Sequence, residues 1–138
     1  MNDKVFIDTN ILIYRSFGTE MKKDIVHNLL KAHKPNIVIS IQILNEFINA
    51  CVKKSYYDSE TKLDETIHFF ISNFQVSQVE IKTVLLANEI RQRYRYGFYD
   101  SLIIATALEQ GCKILYSEDL HHGQIIRKTL RIVNPFSR

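Results

Sequence analysis

Asp8, Glu46, Asp100 and Asp119 are four carboxylates that strands and helices of this chain could deliver to one small site. Asp8 ends the apolar run Val5-Phe6-Ile7 and opens Asp8-Thr9-Asn10. Asp119 follows a second such run, Ile114-Leu115-Tyr116, within Ser117-Glu118-Asp119-Leu120. In an open α/β sheet, ligands and catalytic groups gather just past the carboxyl ends of strands. Carboxylates held together without compensating bases raise one another's pKa, and a hard divalent cation relieves that repulsion. The chemistry this implies is metal-assisted phosphodiester cleavage. A cation supplies the nucleophile, neutralises the phosphate oxygens and assists the leaving oxygen.

The elements that must position these acids follow from the apolar pattern. Lys4–Ile7 reads as a short buried strand, and a helix is expected from Ile11 with Asn10 as its cap. An amphipathic helix covers Met21–Ala32, and Pro35-Asn36 breaks it. Ile37–Ile39 is the second strand, and Ser40 caps a helix from Ile41 to about Lys54 that carries Glu46. Leu63, Ile67, Phe70 and Ile71 mark a further helix. Gln75–Ser77 is the faintest strand. Ser77 and Glu80 have the spacing of a capping box for a helix from Val79 to about Tyr94. Asp100 opens the run Leu102–Leu108, read as a helix buried nearly all round and stopped by Gly111. Lys113–Tyr116 is another strand, and Arg131–Val133 before Pro135 is the last, expected at a sheet edge. Strands alternating with helices predict parallel pairing and right-handed crossovers. The expected fold is a three-layer α/β/α single domain over residues 1–138 with a mainly parallel central sheet.

The bulk composition fits this and narrows the classes. A chain of 138 residues with 46% hydrophobic residues can bury one core, and four Gly and two Pro leave little room for linkers. There is no Lys/Arg-flanked apolar opening and no membrane-length apolar stretch, so a cytoplasmic protein with no membrane partner is expected. Cys51 and Cys112 share no ligand spacing and read as small core residues, in keeping with a reducing compartment. The net charge of +3 is compatible with a polyanionic partner without demanding one. No P-loop, dinucleotide fingerprint or glycine-rich nucleophile elbow is present. His121-His122 is an adjacent pair better suited to solvent or phosphate than to zinc.

Taken singly, each acid has an ordinary explanation. Asp8 suits an Asx turn or helix cap, and Asp100 suits the dipole at a helix N-terminus. Glu46 lies on a polar stripe with Gln42, Asn45, Asn49 and Lys53. Ser117 and Asp119 could cap a following helix. Their joint order changes the balance. Phe6-Ile7-Asp8-Thr9-Asn10-Ile11-Leu12, Asn45-Glu46-Phe47, Tyr99-Asp100-Ser101-Leu102-Ile103-Ile104-Ala105-Thr106-Ala107 and Ile114–Leu120 together resemble the PIN-domain family, and within it the small VapC-type toxins. The resemblance spans essentially the whole chain. It implies a Mg²⁺- or Mn²⁺-dependent ribonuclease in which Asp8, Glu46, Asp100 and Asp119 are the catalytic, metal-holding acids and Asn10 and Ser117 support them. Glu118 competes for the last position; Asp119 is preferred because it directly precedes Leu120.

Arg91, Arg93, Arg95 and Tyr99 precede or adjoin Asp100 and are candidate substrate contacts, since guanidinium groups pair with phosphates and aromatic faces stack on unpaired bases. A solvated arginine face with packed aromatics accounts for the same residues. The resemblance further implies RNA as substrate, a cognate antitoxin protein and a homodimer, whose contact is expected on helices between Ile41 and Phe74. Two other readings stay open. One is an aspartyl-phosphate phosphatase, although Asn10 stands where such enzymes commonly carry a second Asp. The other is a non-catalytic RNA-binding or protein-interaction module on the same fold, which would have little use for four acids.

Overall fold

A computed structural model describes residues 3–137. In chain order it contains β1 (Val5–Ile7), α1 (Thr9–Phe17), α2 (Glu20–His33), β2 (Ile37–Ser40), α3 (Ile41–Lys53), α4 (Glu60–Asn73), β3 (Gln75–Ser77), α5 (Ile81–Tyr94), α6 (Phe98–Glu109), β4 (Ile114–Tyr116), β5 (Ile125–Ile126) and β6 (Leu130–Val133). The strands form one sheet in the order β3-β2-β1-β4-β6-β5. Every pairing is parallel except that of β5 with β6. Successive strand side chains point to opposite faces, yet every residue of β1 and β2 is buried. Both faces of the sheet are therefore covered, which is the expected three-layer arrangement.

The strand order contains one reversal. From β1 the chain steps outward through β2 to β3, then returns to lay β4 on the other flank of β1. The carboxyl ends of β1 and β4 thus adjoin at the switch point, where a crevice opens in folds of this kind. Phe6 pairs with Leu115 and Ile7 with Tyr116. Asp8 and Ser117 then leave the sheet side by side, with the Asp8 N–H donating to the Tyr116 carbonyl at 3.0 Å.

Helix α6 is built as its composition predicts. Seven consecutive residues, Ser101–Ala107, are buried, and Gly111 ends the unit at φ +74°, a conformation glycine adopts without steric cost. Cys51 and Cys112 are both buried core residues, and burial pushes their thiols up to about 11 and about 12.

Three local expectations need correction. Helix α1 starts at Thr9 rather than Ile11, because Asp8 is itself the N-cap and accepts the Thr9 N–H. That frees the Asn10 side chain to reach another loop. The capping box of α5 runs from Glu80 to Thr83, not from Ser77 to Glu80: the Glu80 N–H donates to Thr83 Oγ1 at 3.1 Å. Ser77 still belongs to β3, where its hydroxyl donates to the Ile39 carbonyl. Finally, β6 is not an edge strand, because β5 pairs outside it. Two apolar residues between polar neighbours are too short to show a strand periodicity.

Ile104 is fully buried in the middle of α6, the helix that carries Asp100. Ile104→Ala is expected to lower unfolding free energy by about 2–5 kcal/mol in urea denaturation with an unchanged m-value. A loss below about 1 kcal/mol would mean that α6 is not packed as described.

Candidate active site

The switch point gathers all four acids. Asp8 is 6% exposed at the end of β1. One of its oxygens accepts the Thr9 N–H at 2.7 Å, and the other accepts the Ser117 hydroxyl at 2.7 Å. Ser117, at the end of β4, also accepts the Asp119 N–H at 3.2 Å, so a single hydroxyl joins the first and last acidic loops. Asn10 ties them a second time. Its side-chain amide donates to Asp119 at 2.9 Å, and its carbonyl oxygen accepts the Glu118 N–H at 3.2 Å. Asn10 and Ser117 thus each bridge the loops that carry Asp8 and Asp119.

Glu46 arrives from α3 and is oriented by two residues that sequence reading missed. Thr9 Oγ1 donates to one of its oxygens at 2.7 Å, and Gln42 Nε2 donates to the other at 2.9 Å. The same Gln42 nitrogen lies 3.2 Å from the Tyr99 carbonyl, which links α3 to the first turn of α6 beside Asp100. Gln42 sits one turn before Glu46 on the same helix face, a spacing that could have signalled the pair. Gln42 Oε1 is buried without a hydrogen-bond partner. It lies beside a groove of about 390 Å³ lined by Ile41, Gln42, Asn45, Gln78, Val79 and Leu102.

The two loop acids have different surroundings. Glu118 turns away to Lys22 Nζ at 2.6 Å and to the Tyr14 hydroxyl. Burial works to raise its pKa, but these two donors and the lysine charge outweigh burial and hold it below the usual carboxylate range. Asp119 remains facing the cluster. No helix follows this loop, so Ser117 and Asp119 are not helix caps.

Electrostatics mark the four as a unit. Burial pushes the Asp8 carboxyl up to about 6 against the hydrogen bonds from Ser117 and Thr9, with Glu46 and Asp100 adding to the rise. Asp100 is raised too, first by burial and then by the charges of Asp119 and Glu46. None of the four forms an ion pair among the described residues. Nor do any three His, Cys, Asp or Glu side chains among the described residues already converge as a closed ligand set. Oxygen-only donors with several negative charges fit a hard cation such as Mg²⁺ or Mn²⁺ and do not suit zinc.

The predicted substrate contacts divide. Tyr99 is 70% exposed and adjoins the cluster through its carbonyl. Arg91 is spent on Asn88 at 2.9 Å, Arg93 lies 5.6 Å from the Tyr94 ring, and Arg95 terminates α5. None of these three touches the acids. His121 packs on Tyr96 with ring centres 5.1 Å apart, and His122 accepts the Asn134 N–H. The pair forms no metal site among the described residues. Ser101 is fully buried within α6 and unavailable as a nucleophile.

Comparison with known proteins agrees with this geometry. The PIN domain family profile matches residues 5–127, and the chain belongs to that family. A search of curated proteins gives no significant match. Among solved structures, a toxin–antitoxin complex from Klebsiella pneumoniae is 22% identical at a TM-score of 0.72, with 98% of this chain and 100% of the other covered. VapBC2 from Rickettsia felis, bound to a DNA fragment from its promoter, is 20% identical at 0.70, covering 94% and 98%. Mycobacterium tuberculosis VapC20, described as a sarcin-ricin loop cleaving toxin, is 15% identical at 0.66, covering 81% and 87%. At these identities the likeness establishes a shared fold.

The raised pKa of Asp8 has a thermodynamic consequence in metal-free protein. An acid that holds its proton more tightly when folded withdraws stability as pH rises. The loss begins near the unfolded value of 3.8 and is complete above about 6. Asp8→Asn should therefore raise unfolding free energy at pH 7.5 by about 2–3 kcal/mol in chelator, with the gain shrinking toward pH 4. Urea unfolding of both proteins across this range checks the sign. A variant destabilised equally at every pH would contradict it.

Proposed function

We propose that this chain is a metal-dependent endoribonuclease and the toxin half of a toxin–antitoxin pair, its one catalytic domain covering residues 1–138. The observation that carries this reading is that Asp8, Glu46, Asp100 and Asp119 are brought near one another at the β1/β4 switch point with no basic side chain paired to them among the described residues. Asp8 and Asp100 would hold Mg²⁺ or Mn²⁺ directly or through water, with Glu46 and Asp119 completing the pocket. When bound, the cation supplies an activated water and neutralises charge on the scissile phosphate.

The chain's own residues do the positioning. Thr9 and Gln42 fix both oxygens of Glu46, so its carboxylate is held in one orientation to accept a proton from the attacking water. Asn10 and Ser117 hold the Asp119 loop against Asp8. Tyr99, exposed beside Asp100, offers a ring on which an unpaired base can stack. The toxin assignment draws support from the fold shared with the Klebsiella, Rickettsia and Mycobacterium proteins. An antitoxin would silence the site by placing an Arg or Lys among the four carboxylates. No helix among the described residues is long and apolar enough to cross a membrane, and a cytoplasmic location follows from the RNA substrate.

A homodimer belongs to the same reading. Between Ile41 and Phe74 the exposed large apolar residues are Ile41, Val52, Tyr56, Phe69 and Ile71. On α5, Ile81, Val84 and Leu85 form a second exposed stripe at helical spacing, and Val79 and Ile41 share the groove beside it. Light scattering at micromolar concentration should give twice the monomer mass; a strict monomer removes the dimer.

Purified protein should cut RNA with Mg²⁺ or Mn²⁺ and stop with chelator. Asp8→Asn, Asp100→Asn and Asp119→Asn should each lower kcat/KM by at least about 100-fold, while Glu118→Gln changes it by only a few-fold. Equal losses in the Asp119 and Glu118 variants would overturn the assignment of roles. Intact RNA under every metal condition would favour a non-catalytic binding module.

A further inference from the structure

At the amino end of β6, the end of the sheet opposite the acids, lies a basic corner that the proposed chemistry does not use. Among the described residues four non-glycine residues have positive φ, and three of them are cationic: Arg95, Arg127 and Lys128. Arg127 (φ 48°) and Lys128 (φ 64°) are the central residues of the turn joining β5 to β6, closed by the Thr129 N–H on the Ile126 carbonyl at 3.1 Å. Two successive left-handed residues define a turn in which Asn-Gly is the favoured pair. Arg95 (φ 62°) ends α5 at a position where glycine is commonly preferred. Long side chains in this conformation are strained, and such residues cluster where a site needs what the side chain offers.

The three cations belong to one corner. Tyr94, preceding Arg95, accepts the Arg127 N–H on its hydroxyl at 3.0 Å and so fastens the turn against the end of α5. Arg93 lies 5.6 Å from the ring of Tyr94. Between them runs a groove of about 490 Å³ lined by Arg93, Tyr94, Ile125, Arg127 and Lys128. Glu89 reaches Arg127 at 3.4 Å, but among the described residues Arg93, Arg95 and Lys128 form no ion pair. Ile125 is 49% exposed in the groove wall. The link from the groove toward the acid loop is indirect: Gln124, next to Ile125, accepts the Tyr96 hydroxyl. That hydroxyl also accepts the His121 N–H at 3.2 Å, two residues beyond Asp119.

We propose that this groove binds the phosphate backbone of single-stranded RNA at a distance from the acids, with Arg93, Arg127 and Lys128 on phosphates and the Tyr94 and Ile125 faces against sugar or base. The identity of the strand rests on the ribonuclease reading; the groove's preference for a polyanion does not. Unanswered cations beside an aromatic wall are the usual means of holding an unpaired strand without reading its sequence. The four carboxylates repel RNA, so a cationic groove elsewhere on the surface provides the attraction that the catalytic acids cannot.

The test replaces Arg127 and Lys128 by the pair the turn favours, Arg127→Asn with Lys128→Gly, which removes both charges while relieving the strained backbone. Binding of a fluorescently labelled 12-nucleotide single-stranded RNA is followed by anisotropy in chelator across a salt series, on an Asp100→Asn background. Thermal unfolding should show a melting temperature no lower than that of the parent. RNA affinity should fall, and the slope of log K against log salt should shrink in magnitude by about 1.4, the value for two lost phosphate contacts on a single strand. Unchanged affinity and slope would overturn the proposal, as would a parent protein that fails to bind RNA at all. Displacement of the RNA by poly-glutamate at equal charge concentration would reassign the groove to an acidic peptide. Metal-dependent cleavage without the slope change sinks the groove and leaves the nuclease reading standing; the slope change without cleavage does the reverse.

Discussion

The hydrogen bond between the Ser117 hydroxyl and Asp8 spans 109 residues of chain and 2.7 Å of space. It exists because β1 and β4 are adjacent parallel strands in register, so their carboxyl ends emerge together. A carboxylate buried as deeply as Asp8 is costly unless its oxygens are satisfied, and Ser117 and the Thr9 N–H satisfy one each. Remaining lone pairs face the other acids. The same residue therefore closes the sheet end, caps α1 and presents charge to the crevice.

The other acids depend on that junction. Thr9, held in place as the first residue of α1, reaches across to Glu46 on α3. Asn10, freed from capping duty, reaches to the loop of Asp119. Asp100 stands in the exposed first turn of α6, just before the buried run Ser101–Ala107, where the charges of Asp119 and Glu46 reach it. Glu118 is diverted to Lys22 and Tyr14, which keeps the number of facing acids at four. The raised pKa of Asp8 and Asp100 comes first from burial and then from neighbouring carboxylates, and a divalent ion would offset both by favouring the charged forms.

Much of this was legible in the residues alone. Short β-branched runs ending in a polar residue mark β1, β2 and β4, and alternation with helices dictates parallel pairing. The all-apolar run after Asp100 forces a buried helix. What escaped reading depends on distances that spacing does not encode. Asn10 as a cap and Asn10 as a bridge look alike until β4 is known to lie beside β1. Sequence separates Glu118 from Asp119 only by the latter's place before Leu120, whereas in space Lys22 on α2 and Tyr14 on α1 hold Glu118. The two-residue strand β5 has no periodicity to detect, so β6 passed for an edge. Gln42 was read as part of a solvated stripe because that face of α3 is polar throughout; the partner that buries it, the first turn of α6, is distant in sequence.

Manganese binding followed by electron paramagnetic resonance, on the protein used for RNA cleavage, tests the central claim most directly. Saturable binding should appear with a midpoint matching the Mn²⁺ dependence of cleavage, and both should vanish together in Asp8→Asn while the fold persists. Cleavage that continues in chelator, or Mn²⁺ binding that is unaltered in Asp8→Asn, would contradict the account.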